Sequence, residues 1–254
     1  MSATSRRYDC RHHHPFEAAG GRPYEDRSGC AACSVRDVAV CAALGRDEIP
    51  HLERIVINVD LAAGGTLVDQ EGSVTDAFSV TSGVLRMVRL LPDGRRQIIG
   101  FLLPGDFVGM SSATCHQSAI EAVTEARLCR FPLTALRALF ERFPQLEHRL
   151  VDMAGEELRA AHDQIVLLGR KTPVEKVACF LLRIAERGNR WNSGGSRLHL
   201  PMTRADIADY LGLTIETVSR TFTRLRSERV IALPEATEVE ILDRPRLEAL
   251  AEAA

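Results

Sequence analysis

The sequence predicts an α+β fold in which a small β-roll precedes one long helix and a winged helix-turn-helix domain. Three patterns lead to this prediction. Between about residue 50 and residue 132, short apolar runs are separated by turn residues, which is typical of a small barrel or roll. From residue 151 to 168, apolar residues recur at intervals of three and four, the period of packed α-helices. Residues 203–227 have the spacing of two short helices joined by a glycine turn.

Length and composition limit the class of protein. The 254 residues suffice for two domains. No run of 18 apolar residues is present and the polar N-terminus lacks the apolar core of a secretory signal, so a cytoplasmic protein without membrane association is predicted. Because cytosolic thiols are kept reduced, the seven cysteines indicate metal or redox chemistry rather than a disulfide framework.

The predicted boundaries follow changes in sequence pattern. Residues 1–28 are expected to form a mobile tail. The β-roll domain is predicted for residues 29–142 and begins with a cysteine loop at 30–41. One helix is predicted for residues 143–170. The helix-turn-helix domain is predicted for residues 171–254, because a proline at position 173 suits the first turn of a new helix.

The long helix carries an apolar seam with spacings of three, four, three, four and three, as in helices that pack side by side. Its members are Val151, Ala154, Leu158, Ala161, Ile165 and Leu168. No charged residue interrupts it. We interpret the seam as the interface of a homodimer; the alternative is a helix that covers the core of its own domain.

The helix-turn-helix pattern is specific because each position has a physical role. Thr203 and Asp206 have the spacing of a capping box at the start of the first helix. Gly212 occupies the turn, where a positive φ is needed, and Thr214 can cap the second helix. The predicted buried stripe of that helix comprises Val218, Phe222 and Leu225.

The outward face of the second helix carries side chains that can contact base edges. It comprises Glu216, Thr217, Ser219, Arg220 and Arg224. Arginine can contact guanine at two points, and glutamate can accept a hydrogen bond from cytosine. Residues 170–229 contain 12 Lys and Arg and 6 Asp and Glu, a net charge of +6, whereas the rest of the chain carries −8. A basic module on an acidic protein indicates binding to double-stranded DNA.

Two further segments complete the pattern. Residues 230–233 and 239–242 are predicted to form the strands of a wing. The residues Leu103 to Gly109 and the helix residues Glu216 to Arg220 resemble signatures of the cyclic-AMP-receptor/fumarate-nitrate-regulator (CRP/FNR) superfamily, with a cyclic-nucleotide-binding-like roll. The resemblance covers about residues 30 to 245. It implies a palindrome of two TTGAT-like half-sites, with Glu216 and Arg220 at the inner G·C pair and Ser219 at a thymine.

Three closely spaced cysteines suggest the branch of this superfamily. Cys30, Cys33 and Cys41 resemble the cysteine arrangement of fumarate-nitrate regulators, particularly the alphaproteobacterial FnrL/FnrN branch. The resemblance implies a 4Fe–4S cluster, whose usual ligands are four thiolates, and places Cys129 as the fourth ligand. Cys115 is the competing candidate.

Two positions argue against a cyclic nucleotide as the signal. Met110 and Gln117 stand where the superfamily's nucleotide-binding members carry a glutamate and a phosphate-binding arginine. Without that cation, a phosphate loses its main charge-assisted contact. No cyclic nucleotide is therefore expected.

The resulting hypothesis is an oxygen-responsive regulator of genes for low-oxygen metabolism, which binds DNA as a homodimer while its cluster is intact. The alternative is a regulator of the same fold that senses thiol oxidation, a haem ligand or zinc. The resemblance also implies a contact with RNA polymerase at the predicted hairpin turn Pro92, Asp93 and Gly94; an ordinary exposed hairpin tip is the equal alternative. An enzyme is not expected, since no glycine-rich phosphate loop or nucleophile–base set is found.

Overall fold

The structure is a computed structural model that describes residues 29–110, 113–188 and 197–252. The chain forms two compact units, of which the first contains the described residues 29–95 and 101–148. The second contains segment 96–100 and the described residues from 149 onward. The predicted tail, residues 1–28, lies outside the described residues.

The elements of the first half of the chain are mostly short strands. In chain order they are two 3₁₀ turns (Cys30–Ala32 and Val40–Ala43), α1 (Ile49–Glu53), β1 (Ile57–Leu61), β2 (Thr66–Val68), β3 (Asp76–Ser82), β4 (Leu85–Leu90), β5 (Arg96–Leu102), β6 (Phe107–Val108), β7 (Ala119–Ala122), β8 (Ala126–Pro132), α2 (Leu133–Arg142) and α3 (Pro144–Arg170).

The strands form the predicted roll from two four-stranded sheets. One has the order β1-β8-β3-β6 and the other β2-β7-β4-β5. Between them lies an apolar core that includes Val59, Leu67, Phe78, Val80, Leu85, Ile120 and Leu128. The predicted tight turn lies between β4 and β5, where Gly94 has a φ of 84°. On β3, for example, Phe78 and Val80 both face this core, because alternate side chains of a strand point to the same face.

The helical region begins ten residues earlier than the sequence predicts. α2 (Leu133–Arg142) directly follows β8 and buries Leu133, Leu136 and Phe140. Phe143 then leaves the helical conformation, with φ −130° and ψ 74°, and α3 begins at Pro144. Proline suits this position because the first turn of a helix does not need its N–H.

The second half of the chain forms the predicted helix-turn-helix and a wing. Its elements are α4 (Pro173–Gly188), β9 (Arg197–His199), α5 (Arg204–Leu211), α6 (Ile215–Ser227), β10 (Ile231–Ala232), β11 (Glu238–Ile241) and α7 (Arg244–Glu252). The wing sheet has the order β10-β11-β9, so it contains a third strand that the sequence did not predict. No helix in the described ranges is both long and apolar enough to cross a membrane.

Candidate nucleic-acid interface and cysteine site

Helix α5 begins with the predicted capping box. The amide of Asp206 donates to Thr203 Oγ1 at 3.1 Å, and the amide of Thr203 donates to Asp206 Oδ2 at 3.0 Å. These bonds satisfy amides that a helix N-terminus leaves without intrahelical partners. Asp206 is only 2% exposed, so the box is an integral part of the domain and the predicted cap is confirmed.

The turn between α5 and α6 depends on one glycine. Gly212 has a φ of +61°, as predicted, and a Cβ at this position would lie 3.3 Å from Leu168 Cδ2. The last carbonyls of α5 are also satisfied from other helices. Gln164 donates to the carbonyl of Tyr210 at 3.0 Å, and the buried Lys176 ammonium donates to that of Leu211 at 3.1 Å. Cations and donors at this end compensate the negative pole of the helix.

Helix α6 is fixed by its cap and its buried stripe. Thr214 Oγ1 accepts from the amide of Thr217 at 3.2 Å. The predicted stripe of Val218, Phe222 and Leu225 is at most 2% exposed, which confirms it. Arg204 was not among the residues predicted from the sequence. Its guanidinium carbon lies 3.6 Å from the centre of the Phe222 ring, and burial lowers its pKa. This cation–π contact joins α5 to α6.

The predicted reading residues lie on the open side of α6. Glu216, Ser219, Arg220 and Arg224 are exposed, and Thr217 is half-buried. Hydrogen bonds from the backbone of Glu216 and the side chain of Thr214, and then nearby Arg220, lower the pKa of Glu216, which keeps it ionised.

The two arginines of this face are held differently. Arg224 Nε pairs with Glu228 Oε1 at 2.7 Å, whereas Arg220 forms no ion pair within the part of the chain that the structure describes. The exposed face of α6 thus offers the Glu216 carboxylate, the Ser219 hydroxyl and the Arg220 guanidinium to base edges.

The cysteine loop is held by contacts to its backbone. Cys30 begins the first 3₁₀ turn, and its amide donates to Glu53 Oε1 at 2.5 Å. Cys41 lies in the second 3₁₀ turn, with its Sγ 3.8 Å from the carbonyl oxygen of Arg36. Arg36 in turn donates to the carbonyl of Leu44 at 3.3 Å. These contacts hold the loop without a disulfide between its cysteines.

Cys30, Cys33, Cys41 and Cys129 are all free thiols, and the three cysteines of the loop lie near enough to Cys129 to influence its pKa. Burial, and then negative charge on the other three cysteines, raise the pKa of Cys129 to about 12. Burial and then Glu53 raise the pKa of Cys30 to about 12, and burial and then Cys33 raise that of Cys41 to about 11. A metal cofactor bound here would therefore have to displace protons from these thiols.

Cys129 occupies the middle of a sheet. It pairs with Asn58 on β1 and with Ser79 on β3. Cys115, the competing candidate, lies between β6 and β7, where its backbone bridges Ser73 and its side chain is buried. Its sulfur is disulfide-bonded, so it offers no free thiol to a cofactor in this structure. Within the described ranges, no three Cys, His, Asp or Glu side chains are grouped as ligands of a single metal ion. The ligand assignment remains a prediction.

The seam on α3 is uncovered in a single subunit. Its exposed fractions are 64% for Val151, 59% for Leu158, 68% for Ile165 and 39% for Leu168, and both seam alanines are exposed. Such a row of apolar side chains is unusual on a helix surface that remains in water. The alternative interpretation, a helix whose seam covers its own core, is not what these exposures indicate.

The remaining predicted positions are on the surface. Pro92, Asp93 and Gly94 are exposed at the tip of the β4–β5 hairpin, where Asp93 Oδ2 pairs with Arg95 Nε at 2.7 Å. Met110 is 43% exposed and Gln117 is exposed. The polymerase contact and the exclusion of a cyclic nucleotide both remain predictions.

Comparison with known proteins identifies both domains. Residues 58–143 match the model of a cyclic nucleotide-binding domain, and residues 175–250 match that of a Crp-like helix-turn-helix domain. The chain is 43% identical to the nitrogen fixation regulation protein FixK of Bradyrhizobium diazoefficiens, over 88% of this chain and 94% of FixK.

Two further comparisons agree. The transcriptional activator protein FnrL of Cereibacter sphaeroides is 37% identical over 86% of this chain and 90% of its own. The structure of FixK2 from Bradyrhizobium japonicum superposes with a TM-score of 0.73 at 34% identity, over 79% of this chain and 99% of FixK2. The chain therefore belongs to the CRP/FNR family of DNA-binding transcription regulators and is not an enzyme.

Proposed function

We propose that the chain is an oxygen-responsive, cytoplasmic transcription activator that binds TTGAT-like palindromes as a homodimer while a 4Fe–4S cluster is bound. The observation that carries the proposal is that the three cysteines of the loop and Cys129 on β8 are free thiols and that charge on the loop cysteines influences the pKa of Cys129. Cys30, Cys33, Cys41 and Cys129 would hold the cluster. The names of the relatives FixK and FnrL, a regulation protein and an activator, agree with a role in transcription.

The residues at this site fit such a cluster. Thiolates are the usual ligands of iron–sulfur clusters, four to each cluster. All four sulfurs are available as free thiols. When bound, the cluster supplies an oxygen-labile tie between the cysteine loop and the roll. The alternative signals, thiol oxidation, a haem ligand or zinc, would use the same fold.

The chain connects this site to the long helix directly. β8 carries Cys129 and ends at Pro132, α2 begins at Leu133, and α3 follows after Phe143. A change in the position of β8 or of the cysteine loop therefore acts on the elements that lead into α3. Coupling energies of about 1–3 kcal/mol are typical of such linked sites, and they change an equilibrium about 5- to 150-fold.

Dimerisation would present two copies of α6 to one palindrome. The uncovered seam on α3 suits pairing with a second copy, because each subunit offers the same apolar row. Glu216 and Arg220 would contact the inner G·C pair of each half-site and Ser219 a thymine. The exposed tip at Pro92–Gly94 is the surface proposed for RNA polymerase.

DNA binding before and after exposure to air tests the proposal. The full-length protein, purified without oxygen, is titrated with a TTGAT-type palindrome and the measurement is repeated in air. Affinity is expected to fall at least fivefold in air. Cys129→Ser should bind weakly in both conditions, whereas Cys179→Ser, which changes a free thiol in α4, should behave like the wild type. An affinity that is unchanged by air and by Cys129→Ser contradicts the proposal.

A further inference from the structure

A buried hydroxyl lies beside the cysteine site without a function in the fold. Ser79 on β3 is 3% exposed and stands directly opposite Cys129 on β8. Opposite side chains of an antiparallel pair point to the same face, with their Cβ atoms about 4.5–5.5 Å apart. Ser79 is therefore next to the sulfur of Cys129.

The hydroxyl of Ser79 has no hydrogen-bond partner among the described residues. Its neighbour on the other side is Phe107 on β6, and the next pair on the same face is Ala77 and Phe131. These apolar side chains offer no acceptor. Because a buried polar group without a partner is destabilising, such a group in a native fold calls for an explanation.

We propose that Ser79 is a positioning residue that donates a hydrogen bond to the Cys129 thiolate when the cofactor is bound. The inference rests on the proposed function. A hydroxyl turns freely about its Cβ–Oγ bond, and a ligating thiolate is a better acceptor than a neutral thiol. Hydrogen bonds to ligating sulfurs withdraw electron density and tune the stability of a cluster. Ser79 thereby prolongs the lifetime of the cluster in air.

The test compares the decay of cluster absorbance in air between the full-length wild type and Ser79→Ala, both purified without oxygen. The variant is expected to contain as much iron and sulfide as the wild type and to lose its absorbance about 12- to 160-fold faster, the range that one hydrogen bond to a charged group supports. Ser79→Thr keeps the hydroxyl and is expected to retain the wild-type lifetime. Thr81→Val is the matched control and is expected to keep the wild-type lifetime. It also removes a hydroxyl from β3, but the Thr81 hydroxyl already donates to the carbonyl of Arg127 at 3.0 Å.

Resonance Raman spectra provide a readout that does not depend on decay. Iron–thiolate bands of the wild type are expected to shift in deuterated buffer, and Ser79→Ala is expected to lose part of this shift. Equal lifetimes and equal deuterium shifts in the two proteins would overturn the inference and leave the proposed function intact. A wild-type protein without acid-labile sulfide would overturn the proposed function itself.

Discussion

Replacing Ile165 by alanine is expected to weaken the proposed dimer and to leave the fold of the subunit intact. The Ile165 side chain is 68% exposed in a single subunit, so it contributes little to that subunit's stability. Full burial of such a side chain contributes about 1.5–3 kcal/mol, and covering its exposed part therefore contributes about 1–2 kcal/mol. Because a two-fold dimer contains two copies of this side chain, the substitution is expected to remove about 2–4 kcal/mol of dimer stability. The dissociation constant Kd then rises roughly 30- to 700-fold.

Sedimentation velocity over a range of protein concentrations, without oxygen, measures this Kd. Val166→Ala is the matched control: Val166 is the next residue, is 55% exposed and lies about 100° around the helix from Ile165, away from the seam. Circular dichroism checks that both variants remain folded. If Ile165→Ala dimerises as tightly as Val166→Ala, the seam is not the interface.

Three further substitutions test the DNA-binding domain. Arg220→Ala is expected to cost about 1–3 kcal/mol in DNA affinity and to relax specificity at one base pair, measured by fluorescence anisotropy with matched and substituted sites; a uniform loss for all sequences would show a phosphate contact instead. Thr203→Ala should lower the free energy of unfolding by about 1 kcal/mol in urea, because it removes the acceptor for the Asp206 amide; an unchanged midpoint would contradict this role. Gly212→Ala should cost about 1–2 kcal/mol, since φ is +61° and Leu168 is close; a stabilised variant would refute the strain argument.

The helix-turn-helix could be predicted from sequence because its determinants are local. Thr203 and Asp206 are three residues apart, and the turn glycine and the stripe of α6 lie within the next 20 residues. The apolar periods that predict the roll and the seam are local as well. Where period, cap and turn residue agree, little freedom remains for an alternative local structure.

The contacts missed from sequence join residues that are distant along the chain. Lys176 caps the end of α5 from 35 residues away, and the partner of Ser79 across the sheet is 50 positions further on. No spacing rule predicts such pairs, because they depend on sheet register and helix packing. The same limit explains the missed strand β9, a short strand whose pairing partner is β11. The four-cysteine site was predicted only through the resemblance, because Cys129 is distant along the chain from the three cysteines of the loop.

Iron and acid-labile sulfide, measured in the wild-type protein purified without oxygen, test the central claim most directly. The account predicts about four iron and four sulfide ions per subunit, and their loss when Cys129 is replaced by serine. A protein that contains zinc or no metal, with all four thiols reactive, would contradict the cluster, although the family assignment and the DNA-binding domain would stand.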